Sequence, residues 1–251
     1  MRLPILAALY HPPGAIARHD AVAWGYAHQA AKLGVHIHQQ TEVTGLQIQN
    51  GRVEGVITSR GVVRAGKVLQ AVAGRSSLVA KMASLKLPIR TIPLQACVSE
   101  PLKPFLDKII VSASLSAYVS QSARGELVMG GATDPYPLYS TRSTLEFKET
   151  LMADMLELFP CLGSVKVLRQ WAGLADMTPD FSPIMGLTPV KNYYIDAGWG
   201  TWGFKATPIS GKSMAEAIAN DSQPALIAKF GLDRFARFDQ VGERGAASVG
   251  H

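Results

Sequence analysis

The stretch Asp196-Ala-Gly-Trp-Gly-Thr-Trp-Gly-Phe-Lys-Ala-Thr-Pro-Ile-Ser-Gly-Lys212 constrains this chain more than any other. A hydrophobic run, Tyr193-Tyr-Ile195, precedes it and reads as a strand, so Gly198, Gly200 and Gly203 crowd the strand's exit. Glycines there let a backbone turn sharply and approach a flat or charged ligand with no Cβ in the way. Thr207-Pro208 predicts a helix start, with the hydroxyl as N-cap and the proline in the first turn, and a helix from Ile209 to Ala219. Such a helix end presents N–H groups and a partial positive charge to whatever the loop approaches.

Two motif matches in this stretch point elsewhere. Gly198-x-Gly200-x-x-Gly203 fits the dinucleotide fingerprint, but there the helix starts inside the motif, and Pro208 is expected to cut it. No second strand ending in an acidic residue follows Asp221. Ala206-x-x-x-x-Gly211-Lys212-Ser213 resembles a phosphate-binding P-loop that has lost its first glycine. A nucleotide hydrolase using Lys212 and Ser213 ranks last, because the strand ends near Ala197 and Pro208 interrupts the nest of N–H groups. Lys212 reads more simply as a solvated helix residue.

The 251 residues, 47% of them hydrophobic, suffice for one large domain or two small ones. The net charge of +6 comes from scattered residues with no basic run, which gives nucleic-acid binding no support. A mildly positive surface suits a small anionic substrate. Cys97 and Cys161 are isolated, which suits a reducing cytoplasm, and no apolar run reaches membrane length. A cytoplasmic protein without membrane contact is the expectation.

Met1 to Tyr10 is expected as a short strand, followed by a turn at His11-Pro-Pro-Gly14. Asp20 is placed to N-cap a helix over Ala21–Leu33 that Gly34 ends. Val35-His-Ile-His38 reads as a strand whose exposed face carries His36 and His38, rather than as a metal site. Between Glu42 and Leu69, Asn50-Gly51 and Arg60-Gly61 separate three short strands into an antiparallel meander. Lys67 to Gly74 is expected as a buried strand whose Ala71, Ala73 and Gly74 admit another backbone or a ligand. Ser76 or Ser77 then caps a helix reaching Leu85. Strands follow at Leu94–Val98, Ile109–Val111, Ala117–Ser120 and Glu126–Gly130. A helix over Thr141–Phe159 carries an apolar stripe of Leu145, Met152, Met155, Leu156 and Phe159. A strand at Val165–Trp171, a turn at Asp176–Asp180 and a short helix at Leu232–Phe238 complete the reading.

Taken together, a helix, a meander, a strand ending Ala71-Val-Ala-Gly74, a strand-rich insert and a glycine loop resemble the D-amino-acid-oxidase-like flavoproteins. Within them the chain resembles the sarcosine oxidase β-subunit branch, through His11-Pro-Pro-Gly14, Ile16-Ala-Arg-His-Asp20, Ala23-Trp24, Thr41-Glu-Val-Thr-Gly45, Gly125-Glu-Leu-Val-Met-Gly130, Gly198–Lys205 and Gly245-Ala-Ala. The resemblance implies an α/β fold (an α+β mixture) of the FAD/NAD(P)-binding, glutathione-reductase-like type, with a meander and a strand-rich substrate domain. It divides the chain into 1–87, the remainder of the FAD-binding domain; 88–175, the substrate domain; and 176–251, the return to the first. Family members open on a strand–Gly-x-Gly-x-x-Gly–helix unit that holds the ADP half of FAD. This chain is expected to lack that unit and to be the C-terminal portion of a longer subunit.

The resemblance also assigns roles. Val43 matches the position that meets the adenine, and Ala73 and Gly74 the strand end beside the dinucleotide. Gly198, Gly200, Thr201, Gly203 and Phe204 match the loop packed on the flavin, its N–H groups facing N1 and the C2 carbonyl. Lys205 matches the catalytic lysine that pairs with the substrate carboxylate, and His19 the attachment point of a second flavin, FMN, near the α subunit. The implied reaction is oxidative demethylation of sarcosine at FAD, with electrons passed through FMN to oxygen in a hetero-oligomer. The alternatives are a non-catalytic truncated subunit that acts only as an interaction module, or an oxidase of another D-amino or N-methyl amino acid.

Overall fold

The structure, a computed structural model, describes residues 4–131, 133, 134 and 136–242. The expected tail motif Gly245-Ala-Ala lies outside the described residues.

The expected turn closes with the Gly14 N–H donating to the His11 carbonyl at 3.1 Å. Helix α1 spans His19–Lys32 and ends near Gly34, at φ +90°, as expected. Its start is corrected by two residues. Arg18 holds the N-cap position and Asp20 lies in the first turn, ion-paired with Arg18 at 2.7 Å. An acid in the first turn meets the same helix dipole that a cap does. No residue of α1 is buried.

The strands expected at residues 4–10 and 35–38 do not form. A strand needs a partner edge, and these segments pair with no strand among the described residues. Their apolar side chains stay in solvent: Leu6 is 97% and Leu9 98% exposed.

The meander forms as read. β1 (Val43–Gln49), β2 (Arg52–Thr58) and β3 (Gly61–Arg64) pair antiparallel in that order. Asn50 and Gly51 both take positive φ, the turn that matches strand twist.

Strand β4 is shorter than expected, covering only Val68–Gln70. At Ala73, φ +47°, the chain turns into a single 3-10 turn, Ala73–Arg75, and then helix α2 (Ser76–Met82). Ser76 does not cap that helix but donates its hydroxyl to the Ala73 carbonyl at 2.6 Å.

Five antiparallel strands make the largest sheet among the described residues. They are β5 (Arg90–Pro101), β6 (Ile110–Ser112), β7 (Ala117–Gln121), β8 (Glu126–Gly130) and β9 (Val167–Met177), in the order β6-β7-β8-β5-β9. Helix α3 (Leu145–Leu158) packs on this sheet through Phe147, Leu151, Met155 and Leu158, against Cys97, Val119, Leu127 and Met129. The expected stripe is therefore rotated. Leu145 is 57% and Leu156 37% exposed, and Met155 alone of the five is fully buried. Thr144 sets this phase by accepting the Phe147 N–H at 3.3 Å as N-cap.

Strand β9 runs past the expected end at Trp171 to Met177, carrying Asp176 to the glycine loop. Strands β10 (Ile184–Leu187) and β11 (Tyr193–Ala197) complete a second sheet, with β11 parallel to β4 and antiparallel to β10. Ala80, Leu87, Ile184, Ile195 and Ala197 form its core.

Helix α4 (Gly203–Asn220) corrects the expected start at Ile209. It begins at the last glycine of the loop and continues through Pro208, so the proline removes one backbone bond without ending the helix. The P-loop reading fails for the same reason, since Ala206 to Ser213 lies inside this helix. Lys212 is 72% exposed and 3.9 Å from Glu216, the solvated position expected of it. Two 3-10 segments follow, Ala225–Phe230 and Leu232–Phe235, the latter in place of the expected short helix. Among the described residues no strand follows α4, so a dinucleotide-type βαβ unit is absent there.

Candidate active site

The glycine loop doubles back from the end of β11 onto the end of β9. Gly198 has φ +74° and Gly200 φ +53°, conformations side-chain-bearing residues avoid. A Cβ on Gly198 would lie 2.6 Å from Thr178 Cγ2, and one on Gly200 2.9 Å from Met177 Sδ. Both positions therefore need glycine for conformation and for space.

The loop is held from below by Asp176. Its Oδ2 accepts the Gly198 N–H at 2.5 Å, and its main-chain carbonyl accepts the Gly200 N–H at 3.1 Å. Trp202 occupies the N-cap of α4 with no side-chain cap, and no acid sits in the first turn. The first N–H groups of an 18-residue helix are thus left without a capping side chain beside the loop.

A cavity of about 1060 Å³ opens against this helix end. Gly200, Thr201, Trp202, Gly203 and Phe204 form one wall, and Leu69, Ala71 and Ala73 at the exit of β4 another. Leu94, Gln95, Tyr118 and Leu174 of the large sheet close a third side. Along α4, Gly203, Thr207, Gly211 and Ala215 recur every fourth residue and line the cavity as one face. A Cβ on Gly211 would meet nothing within 4 Å.

Two carboxylates border this space. Asp196 accepts from Trp199 Nε1 at 2.5 Å and from the Ser210 hydroxyl. Asp176 is 3% exposed, and burial raises its pKa although backbone N–H groups of the loop oppose the shift. Burial also raises the pKa of the Tyr118 hydroxyl. Tyr118 lies across the space that Gly130 leaves on the neighbouring strand, where a Cβ would come within 2.4 Å of its Cζ.

Of the residues singled out from sequence, Ala73, Gly200, Thr201, Gly203 and Phe204 meet around this cavity. Gly198 lies behind them, turned toward Asp176. Gly74 is buried beneath Leu174, whose Cβ would be 2.3 Å from a Cβ added there, so its close approach is to protein. The N–H groups of Gly198 and Gly200 donate to Asp176, while Gly203 and Phe204 in the first turn of α4 line the cavity. Lys205 is exposed in that first turn, its Nζ 4.4 Å from the Trp202 ring centroid. Val43, at the start of β1, and His19, exposed at the start of α1, do not line the cavity.

Sequence reasoning missed Asp176, Asp196, Gln95 and Tyr118. An acid beside a turn or a tyrosine in an alternating strand is common, and nothing local marks these as converging. Among the described residues, no group of three or more His, Cys, Asp or Glu is placed to hold a metal ion. None of the helices there is long and apolar enough to cross a membrane.

Residues 2–217 match the family described as FAD dependent oxidoreductase. The sarcosine oxidase subunit beta of Rhodobacter capsulatus is 48% identical over 250 residues, which cover 100% of this chain and 60% of that protein. Its counterpart from an Arthrobacter species is 45% identical over 251 residues, covering 100% of this chain and 62% of that protein. The chain thus spans about 60% of the length of these relatives. Among solved structures, L-proline dehydrogenase from P. horikoshii superposes with a TM-score of 0.81 at 28% identity, over 88% of this chain and 60% of that one. Glycine oxidase from Geobacillus kaustophilus shares the fold, with a TM-score of 0.76 at 20% identity over 85% of this chain and 57% of that one.

The cavity wall fits a flavin. The uncapped turn of α4 suits the electron-rich edge of the ring system, and the aromatic faces of Trp202, Phe204 and Tyr118 suit its plane. The open space over Gly211 is room that a side chain would fill. Fold, cavity and family match agree: the chain belongs to the FAD dependent oxidoreductase family.

Proposed function

We propose that this chain forms the flavin-facing and substrate-facing part of an oxidoreductase acting on the CH–NH bond of an amino acid, with sarcosine as substrate. The observation that carries this reading is the uncapped start of α4 and its glycine loop against a cavity of about 1060 Å³. The choice of sarcosine comes from the relatives, two of which are named sarcosine oxidase subunit beta at 48% and 45% identity.

In this reading Gly200, Thr201, Gly203 and Phe204 hold the flavin from one side and Ala73 lines the turn after β4 that it passes, with Gly74 packed beneath it against Leu174. Val43 meets the far end of the dinucleotide. The segments 1–87 and 176–251 build the cofactor side and 88–175 the substrate side. A bound flavin would supply the acceptor for the hydride that leaves the carbon next to nitrogen. The N–H groups of α4 stabilise negative charge at the cofactor's edge.

Lys205 binds the substrate carboxylate. Its present contact with the Trp202 ring is exposed, worth about 0.5–1 kcal/mol, so a carboxylate can compete for the ammonium. The apolar wall of Leu94, Tyr118 and Leu174 excludes water from the reacting carbon. His19, exposed on α1, would hold a covalent FMN, which would supply the electron exit toward oxygen, and the other subunits of a hetero-oligomer would cover that helix. The assembly works in the cytoplasm.

The test is anaerobic addition of sarcosine to the flavin-loaded chain, assembled with its partner subunits, while the visible flavin band is followed. Lys205→Met should raise the sarcosine concentration needed for bleaching by about tenfold or more, as expected for a lost charge-assisted contact. An unchanged concentration dependence would remove Lys205 from the site. No bleaching in the unaltered assembly would favour an oxidase of a different amino acid or an interaction module.

A further inference from the structure

The two carboxylates at the cavity are satisfied in different ways. Asp196 is held by side chains, Trp199 and Ser210. Asp176 is held by backbone. Gly198 donates to its carboxylate across 22 residues of sequence, and Gly200 to its carbonyl. Both glycines are left-handed, so the loop wraps the acid as a concave set of N–H groups, the arrangement that elsewhere captures an external anion. Here the chain supplies the anion itself.

Asp176 is in turn fixed by its neighbours. It pairs in register with Thr91 on β5, and the Thr91 hydroxyl donates to the Gly74 carbonyl at 2.8 Å. The exit of β4, the large sheet and the glycine loop therefore meet around the Thr91–Asp176 pair. Those are the same three elements that wall the cavity.

We propose that Asp176 is the positioning residue of the flavin site: its carboxylate gathers the loop so that the uncapped first turn of α4, rather than the loop's own N–H groups, faces the cofactor. The inference rests on the cavity being the flavin site and names the group that shapes its floor. With Asp176 in place, Gly198 and Gly200 are occupied and the cofactor's edge is left to Gly203 and Phe204. Without the carboxylate, Gly198 loses its acceptor, the turn keeps only the Gly200 bond to the residue-176 carbonyl, and the helix start frays.

The acid also makes the loop sensitive to pH. The elements around it carry Arg90 and Glu100 on β5, Arg75 after β4, Arg169 on β9, Asp196 on β11, and Lys205, Lys212 and Glu216 on α4, yet its shift comes from burial and is opposed by backbone hydrogen bonds alone. Its folded pKa is raised by burial. The sign follows: its favourable contribution to stability is complete below the unfolded aspartate value of about 4 and is lost as pH rises through the raised folded value.

The experiment uses the full chain without added flavin and compares Asp176→Asn with Asp176→Ala. Trypsin cleavage at the Lys205–Ala206 bond reads the order of the helix start. Ala should speed cleavage about tenfold, the effect of losing a hydrogen bond to a charged acceptor, and Asn, which still accepts from Gly198, should restore it to within about twofold. Thermal unfolding between acid and neutral pH reads the charge: the unaltered chain should lose stability as pH rises where Asp176→Asn does not. Cleavage of Asp176→Ala at the unaltered rate would overturn the anchoring role. Should Asp176→Ala not fold, Asp176→Ser, whose hydroxyl is too short to reach Gly198, takes its place, and its cleavage at the unaltered rate would overturn the proposal. Both readouts are taken without flavin, so their failure leaves the flavin reading standing, and a loss of flavin with an ordered loop bears on that reading alone.

Discussion

Arg234 and Asp180 meet 54 residues apart as a bidentate ion pair, with Nε donating to Oδ2 at 2.8 Å and Nη2 to Oδ1 at 3.0 Å. Their side chains are 1% and 2% exposed. Arg234 also donates to the carbonyls of Phe230, Gly231 and Ser182, and Asp180 accepts the Val241 N–H at 3.1 Å. One pair thus fastens the segment after α4 to the turn before β10.

Arg234→Ala should cost about 3–5 kcal/mol of stability, because it leaves a carboxylate buried without its partner. Chemical denaturation of the two proteins measures this directly. Burial works against the ionised Asp180, but the Arg234 guanidinium and the Val241 and Ser182 N–H groups hold its pKa below the usual value. Its contribution is therefore present above pH of about 4 and lost as acid takes it through the lowered folded value. A denaturation midpoint that stays level under that acidification would exclude the pair as a stability determinant.

Gly130→Ala should displace Tyr118, since the new methyl would fall within 2.4 Å of the ring's Cζ. Overpacking of this kind costs roughly 1–3 kcal/mol. Adding Tyr118→Ala to Gly130→Ala should remove the clash, so the double variant is more stable than the sum of the single changes predicts. Strictly additive losses would mean that the two residues do not meet.

Pro208→Ala should stabilise α4 by up to about 3 kcal/mol, the penalty of a proline in a helix interior. A lower melting temperature for the variant would place the helix start at or after Pro208, as local sequence suggests.

Pro208 shows where legibility in the sequence stops. The meander was readable because Asn50-Gly51 fixes its own turn type, and β8 because an alternating run is bounded by turn residues. The start of α4 was not, because tertiary packing of Ser210, Ser213, Met214 and Ala217 outweighs a proline's local cost. The phase of α3 failed for a similar reason: a sheet from distant sequence selects Phe147 and Leu151 rather than Leu145 and Leu156. Five expected site residues, Ala73, Gly200, Thr201, Gly203 and Phe204, line the cavity, since a glycine loop carries its geometry with it. Asp176 and Tyr118 reach it only through β-sheet register, which a single sequence does not display.

The proposed covalent FMN on His19 predicts that flavin absorbance stays with the protein pellet after acid precipitation, and that His19→Ala releases it to the supernatant. A pellet free of flavin in the unaltered protein would reject the covalent link without touching the FAD site.

The central claim, that the cavity beside Gly198–Phe204 holds flavin, is tested most directly by the visible spectrum of the chain after incubation with FAD and gel filtration. The measurement is made on the chain alone and with its partner subunits co-expressed. The account predicts a flavin band that co-elutes with the protein and weakens when Gly203→Val places a branched side chain at the helix start. A chain that emerges colourless under both conditions, or a Gly203→Val protein that retains flavin undiminished, would contradict it.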